Sequence, residues 1–77
     1  MRNYDNRKRI LVTGGAGGLG GATVRRLAEL GVGVAVFDRD ADRAGELAKE
    51  LGDGVVAAGG DVNDDGDVAR AIDAARS

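Results

Sequence analysis

A glycine-rich segment directly follows the first apolar run of the chain. The run at positions 10–12 and Thr13 are succeeded by the stretch GGAGGLGG at positions 14–21. In a turn between a buried strand and a helix, backbone N–H groups and the helix dipole together attract a phosphate. Glycine suits such a turn because a Cβ would hold the phosphates away and because the turn needs a positive φ. The segment therefore predicts a site for the pyrophosphate of a dinucleotide.

The glycines of this segment fit three patterns at once. Gly15, Gly17 and Gly20 read as G-x-G-x-x-G. Gly14, Gly18 and Gly20 read as T-G-x-x-x-G-x-G, and Gly14, Gly17 and Gly20 as T-G-x-x-G-x-x-G. A P-loop is excluded because no Lys with Ser or Thr follows the last glycine. A glycine-rich turn that only brings a helix close to a sheet is the alternative without a ligand.

Asp38 supplies a second signal at a suitable distance from the loop. It ends the second apolar run and stands 18 residues after Gly20. A carboxylate there can accept hydrogen bonds from both hydroxyls of an adenosine ribose, whereas it would repel the 2′-phosphate of NADP. We therefore expect NAD as the cofactor, although Arg39 could neutralise such a phosphate. A helix cap is the alternative role for Asp38.

Asp61 and Val62 come shortly after the third apolar run and form the last candidate pair. They follow Gly59-Gly60, and the carboxyl ends of neighbouring parallel strands border the ligand crevice of such sheets. A carboxylate can accept from the adenine amino group, and a backbone N–H can donate to a ring nitrogen. We therefore expect Asp61 and Val62 near the adenine. Asp61 could instead cap the third helix.

The rest of the chain supplies the elements that position these residues. Three short apolar runs, at positions 10–12, 32–37 and 55–58, are typical of strands buried on both faces of a parallel sheet. Between and after them, apolar residues recur at helical spacing. These are Leu19, Ala22, Leu27 and Leu30, then Ala41, Ala44, Leu47, Ala48 and Leu51, then Val68, Ala71, Ile72 and Ala75. Gly31 and Gly52 are expected to end the first two helices, Asp40 to cap the second, and Asp64 or Asp65 to cap the third.

The predicted sheet is covered unequally on its two faces. Right-handed crossovers in one direction put the first two helices on the same face, so only the third helix is left for the other. A complete doubly wound sheet places a fourth strand beside the first, whose outer edge would otherwise stay open. We therefore expect an α/β chain, the N-terminal half (β-α-β-α-β-α) of a Rossmann-like doubly wound parallel sheet at positions 9–77, after a flexible leader at positions 1–8. We expect its C-terminal half or a companion chain to complete it.

Composition excludes several other classes of protein. The 77 residues include no Cys and no His, which excludes disulfide scaffolds, soft-ligand metal sites and triads that use an imidazole. With 11 basic and 13 acidic side chains the net charge is −2, so we expect no nucleic-acid partner. The uncharged stretches are too short to span a bilayer, so we expect no membrane partner and a cytoplasmic location.

The residues singled out above resemble the short-chain dehydrogenase/reductase family. They are Thr13-Gly14 with Gly18-Leu19-Gly20, then Asp38, then Asp61-Val62. Within the family the pattern is most similar to the 3-hydroxyacyl-CoA dehydrogenase type 2 branch, which uses NAD. The resemblance implies that Gly17 and Leu19 line the pyrophosphate and ribose, Asp38 the adenosine ribose, and Asp61 with Val62 the adenine.

The resemblance also implies an oxidoreductase acting on a secondary alcohol or ketone, such as a 3-hydroxyacyl thioester, in a homo-oligomeric parent protein. The family's catalytic Ser, Tyr and Lys are expected beyond Ser77, and Tyr4 precedes the first strand, so no catalytic residue is assigned. Two alternatives stay open. The extended epimerase or reductase branch is favoured by Gly14, Gly17 and Gly20 but disfavoured by Gly18. A nucleotide-binding module without catalysis is the other.

Overall fold

A computed structural model describes residues 9–76, which form a three-stranded sheet with three helices. The strands are β1 (Ile10–Thr13), β2 (Val34–Asp38) and β3 (Val55–Gly59). They alternate with α1 (Gly18–Glu29), α2 (Ala41–Leu51) and α3 (Asp65–Arg76). The predicted α/β class and β-α-β-α-β-α order are confirmed. The flexible leader predicted at positions 1–8 lies outside the described residues.

The sheet is parallel, with strand order β1-β2-β3. Its register pairs Thr13 with Phe37, and Asp38 with Gly59. Because the strands run in the same direction and end at matching positions, their carboxyl ends form one edge of the sheet. The loops that carry the predicted site residues therefore start side by side.

The two faces of the sheet carry different parts of the core. Alternate residues of a strand point to opposite faces. One face belongs to α1 and α2, and its buried cluster consists of Val24, Val34, Val36, Ala44, Leu47 and Val55. The other face carries the buried residues Ala35 and Phe37 of β2, and α3 contributes buried Ala71 and Ala75. The predicted division of helices, two on one face and one on the other, matches this packing.

The predicted apolar stripe of α1 is wrong in part. The helix begins at Gly18, inside the glycine segment, and its buried residues are Gly21 and Val24. Leu19 is 86% exposed, and Ala22 and Leu30 are also exposed, whereas Leu27 packs against the core. The turn after β1 brings the helix onto the sheet with Gly21 and Val24 facing the strands. Spacing alone therefore assigned the wrong face to the first turn.

The predicted caps of the other two helices are confirmed. Asp40 precedes α2, and its Oδ1 accepts a hydrogen bond from the Arg43 N–H at 3.1 Å, while Gly52 follows the last residue of that helix. At α3, the Oδ1 of Asp64 accepts from the Asp67 N–H at 2.9 Å, so Asp64 is the cap and Asp65 is the first helical residue. Among residues 9–76, no helix has the length and apolar character needed to cross a membrane.

Candidate functional site

A cleft lies at the carboxyl edge of the sheet, where the loops after all three strands meet. Its volume is about 350 Å³, and its lining residues are Thr13, Gly14, Phe37, Asp38, Arg39, Gly60 and Val62. The crevice outside the carboxyl ends of parallel strands is the usual ligand position in open α/β sheets. The structure thus brings the predicted residues Gly14, Asp38 and Val62 to one cleft.

The loop from β1 to α1 is folded tightly against the end of β2. The Gly14 N–H donates to the Phe37 carbonyl at 2.7 Å, and the Gly17 N–H donates to the Gly14 carbonyl at 3.2 Å. Gly14 has a φ of 65°, which side chains with a Cβ rarely adopt. A Cβ on Gly20 would overlap the Gly14 carbonyl oxygen. The turn therefore requires glycine at both of these positions.

The remaining glycines of the loop differ in what the fold demands of them. A Cβ on Gly15 would come within 2.8 Å of Val36 Cγ1, so packing against the sheet requires a glycine there. In contrast, a Cβ on Gly17 would meet only the Gly14 carbonyl oxygen at 3.6 Å, and one on Gly18 would meet nothing within 4 Å. Packing within the described residues does not require glycine at 17 or 18, although both stand at the start of α1.

The start of α1 has no side-chain cap among the described residues. Its N-cap is Gly17, and its first turn contains no acidic residue. The backbone N–H groups of Gly18, Leu19 and Gly20 have no acceptor within residues 9–76. The other two helices, in contrast, are capped by aspartates. Unpaired N–H groups and the positive end of the helix dipole form a place for an anion, and exposed Leu19 lies beside it.

Asp38 lies at the end of β2 and bonds two segments of backbone. Its Oδ2 accepts from the Ala16 N–H at 3.0 Å, and its Oδ1 accepts from the Asp40 N–H at 2.9 Å. The hydrogen bond from Asp40 lowers the pKa of Asp38, and the Ala16 N–H and the positive charge of Arg43 act in the same direction against desolvation. The carboxylate is therefore ionised at neutral pH. Since Asp40 is the cap of α2, the alternative role of Asp38 as that cap is excluded.

Asp61 is held in place beside the cleft, and Val62 lines it. The Asp61 Oδ1 accepts from the Asn63 N–H at 2.8 Å, and its Oδ2 pairs with Arg39 Nη2 at 3.5 Å. The Asp61 N–H donates to Asp67 Oδ2 at 3.0 Å. Val62 is 55% exposed. Asp61 therefore does not cap α3, and the contacts of this pair with an adenine stay a prediction.

Sequence reasoning missed two residues of this region, Ala16 and Arg43. Arg43 Nη2 donates to the Ala16 carbonyl at 3.0 Å, across 27 positions of sequence. A signal for Arg43 exists in the sequence, since a cation in the first turn of a helix opposes the helix dipole and needs another partner. Ala16 carries no such signal, because it takes part through its backbone alone.

Comparisons with known proteins agree on one family. The model of the short chain dehydrogenase family matches residues 8–77. The 3-hydroxyacyl-CoA dehydrogenase type-2 of Drosophila melanogaster is 48% identical over 66 residues, which are 86% of this chain and 26% of that protein.

Solved structures give the same result. The crystal structure of 3-hydroxyacyl-CoA dehydrogenase type-2 from Mycobacterium avium superposes with a TM-score of 0.84 at 43% identity, over 90% of this chain and 27% of that one. The 3-ketoacyl-(acyl-carrier-protein) reductase from Brucella melitensis, complexed with NADH, has a TM-score of 0.83 at 37% identity, over 88% of this chain and 28% of that one. The chain thus spans about a quarter of the length of these relatives. The resemblance predicted from the glycine segment, Asp38 and the Asp61-Val62 pair is confirmed, and the chain belongs to the short-chain dehydrogenase family.

Proposed function

We propose that this chain binds the adenosine and pyrophosphate portion of NAD. The observation that carries the proposal is the start of α1, which has unpaired N–H groups and two glycines that packing does not require. A bare backbone at Gly17 and Gly18 lets a pyrophosphate approach those N–H groups closely. The adenosine would then extend along the cleft towards Asp38 and Val62, which line it.

The choice of NAD over NADP rests on Asp38. Its carboxylate is ionised at neutral pH, and each oxygen accepts a single hydrogen bond from the protein, so lone pairs remain for ribose hydroxyls. A 2′-phosphate in the same position would meet a like charge. Arg39, the cation that could offset this repulsion, is paired with Asp61. One of the similar solved structures is a complex with NADH.

For the whole protein we propose oxidation or reduction of a secondary alcohol or ketone, with a 3-hydroxyacyl or 3-ketoacyl thioester as the substrate class. The names of the three similar proteins described above support this class, since two are 3-hydroxyacyl-CoA dehydrogenases and one is a 3-ketoacyl-carrier-protein reductase. NAD supplies hydride transfer when bound. Residues 9–76 contribute binding and orientation of its adenosine half, and we expect this chain alone to bind NADH without turnover.

We also propose that a C-terminal half, supplied by the same protein or by a companion chain, completes the sheet and carries the catalytic residues. A cytoplasmic, homo-oligomeric parent protein fits this proposal. Mixing the chain with a separately expressed C-terminal half of the similar D. melanogaster enzyme, and then assaying NADH formation from a 3-hydroxyacyl thioester, tests it. We expect turnover only when both pieces are present. Turnover by the chain alone would contradict the proposal that the C-terminal half carries the catalytic residues.

Titration of the purified chain with NADH and NADPH tests the binding proposal. We expect NADH to bind more tightly than NADPH, and Asp38→Asn to weaken NADH binding by roughly 5- to 150-fold, equivalent to about 1–3 kcal/mol. Asp53→Asn, which removes an exposed carboxylate from the turn between α2 and β3, is the matched control and should leave both affinities unchanged. A folded chain that binds neither dinucleotide, or that binds both alike, would refute the proposal.

A further inference from the structure

The backbone of Ala16 is held on both sides, through its N–H and through its carbonyl. Its N–H donates to Asp38 Oδ2 at 3.0 Å, and its carbonyl accepts from Arg43 Nη2 at 3.0 Å. Ala16 lies in the turn between β1 and α1, one residue before the N-cap Gly17. Asp38 thus holds the peptide group before Ala16, and Arg43 holds the one between Ala16 and Gly17, whose N–H also donates to the Gly14 carbonyl.

The contacts of Arg43 are part of a closed ring of hydrogen bonds. From Arg43 the ring passes to the Ala16 carbonyl, from the Ala16 N–H to Asp38, and from Asp38 to the Asp40 N–H. It closes where the Arg43 N–H donates to the Asp40 side chain at 3.1 Å. The ring joins three segments of chain, namely the glycine-rich loop, the end of β2 and the first turn of α2.

The position of Arg43 within α2 is electrostatically unfavourable for that helix. It is the third residue of α2, where the helix dipole favours anions and disfavours cations. The compensating interaction lies outside α2, at the Ala16 carbonyl. Its side chain thus serves the loop of a neighbouring βα unit rather than its own helix.

Holding the backbone at Ala16 matters because a glycine-rich loop loses much conformational freedom when it is ordered. Glycine has more backbone conformations to lose on ordering than any other residue, and four of the five residues at positions 14–18 are glycine. A loop that is already ordered in the free protein binds its ligand more tightly, because binding then causes no further loss of conformational entropy in the loop. The peptide group between Ala16 and Gly17 directly precedes Gly18, the first residue of α1.

We propose that Arg43 is a positioning residue for the dinucleotide site: it orders the glycine-rich loop before NAD binds, through the Ala16 carbonyl. This rests on the proposed function, because the benefit is measured as NADH affinity. Arg43 does not line the cleft at the carboxyl edge of the sheet, but it lines a second pocket together with Gly17 and Gly18. The test below therefore separates ordering of the loop from direct contact with the phosphates.

The test uses the ¹⁵N-labelled chain and three variants. Arg43→Ala removes the contact, Arg43→Lys keeps a cation that can donate to the same carbonyl, and Arg26→Ala is the control. Arg26 is an exposed arginine of α1 that pairs with Glu29 of the same helix, so its removal changes the net charge equally without touching the loop. The readouts are amide exchange of Ala16 and Gly17 in the free chain, melting temperature by circular dichroism, and NADH affinity.

We expect Arg43→Ala to speed exchange at Ala16 and Gly17 and to weaken NADH binding by roughly three- to tenfold, the range for one partly exposed charge-assisted hydrogen bond. Arg43→Lys should recover part of both effects, and Arg26→Ala should show neither. Unchanged affinity with faster exchange would overturn the proposal, because the contact would then be structural only. Weaker affinity with unchanged exchange would overturn it too, because Arg43 would then contact the ligand directly.

The exchange experiment also distinguishes failure of this proposal from failure of the proposed function. If the wild-type chain does not bind NADH, the exchange data still decide whether Arg43 orders the loop: slow exchange of Ala16 that depends on Arg43 supports ordering, and exchange that is the same in Arg43→Ala refutes it. Arg43→Lys provides the same comparison if Arg43→Ala is too unstable to study.

Discussion

Gly18 and Gly20 stand two residues apart in the first turn of α1, yet a methyl group should have opposite effects on them. A Cβ on Gly20 would overlap the Gly14 carbonyl oxygen and lie 2.9 Å from the Gly14 carbonyl carbon. These neighbours are backbone atoms of a tight turn, so relief requires the whole loop to shift. A Cβ on Gly18 meets nothing within 4 Å. Gly20→Ala should therefore damage the fold, and Gly18→Ala should not.

The size of each effect follows from packing and helix propensity. Overpacking costs about 1–3 kcal/mol, and we expect the upper part of that range because the obstacle is backbone. In a domain of this size each kcal/mol shifts the melting temperature by about 4–8 °C, so Gly20→Ala should lower it by roughly 10–20 °C. Alanine stabilises a helix by about 0.5–1 kcal/mol relative to glycine, so Gly18→Ala should keep the wild-type melting temperature or raise it slightly.

Thermal unfolding by circular dichroism and NADH titration on the same samples test this pair. Gly18→Ala should retain the fold but lose NADH affinity, because its Cβ would occupy space beside the N–H groups that we propose bind the pyrophosphate. Gly20→Ala should lower both the melting temperature and the NADH affinity. The reasoning is refuted if Gly20→Ala melts with the wild type, or if Gly18→Ala is the less stable of the two. Full NADH affinity in Gly18→Ala would refute the phosphate position while leaving the packing argument intact.

Three further predictions concern acid stability, the core and the sheet edge. Because the pKa of Asp38 is lowered in the folded protein, its carboxylate stabilises the fold above its unfolded pKa, and this stabilisation is lost as pH falls below about 4. Between pH 6 and 3 the melting temperature of Asp38→Asn should therefore fall less than that of the wild type. Phe37 is 1% exposed, so Phe37→Ala should cost about 3–5 kcal/mol by urea unfolding, and a loss under 1 kcal/mol would contradict its placement in the core. In residues 9–76 β1 pairs only with β2, and Ile10 is 47% exposed, so sedimentation velocity should detect concentration-dependent association; a monodisperse monomer with slowly exchanging amides in β1 would count against it.

Most of the fold could be predicted because its signals are local. The strands are short apolar runs, and the caps Asp40 and Asp64 use side chains three residues from the N–H groups they bind. Parallel order then follows from the alternation of strands and helices. None of these inferences requires knowledge of how two distant segments pack.

The parts that failed depend on such packing. The helical spacing of apolar residues placed Leu19 on the buried face of α1, but the turn after β1 determines how the helix meets the sheet, and it directs Val24 inward. Arg43 and Ala16 are 27 positions apart, and their contact exists only because the first turn of α2 lies beside the loop. The three glycine patterns could likewise not be separated without knowing which Cβ atoms would clash.

Asp38 has a structural role that the sequence did not predict. The sequence left open whether Asp38 binds a ribose or caps α2, and Asp40 is the cap of that helix. In the structure its two oxygens accept from Ala16 and Asp40, yet an ionised carboxylate has about four acceptor positions, so two remain for ribose hydroxyls. The bonds to the backbone fix the carboxylate in the cleft, and the same bonds lower its pKa. Its structural role would therefore prepare the proposed binding role, and we expect a substitution at Asp38 to disturb the loop and the NADH affinity together.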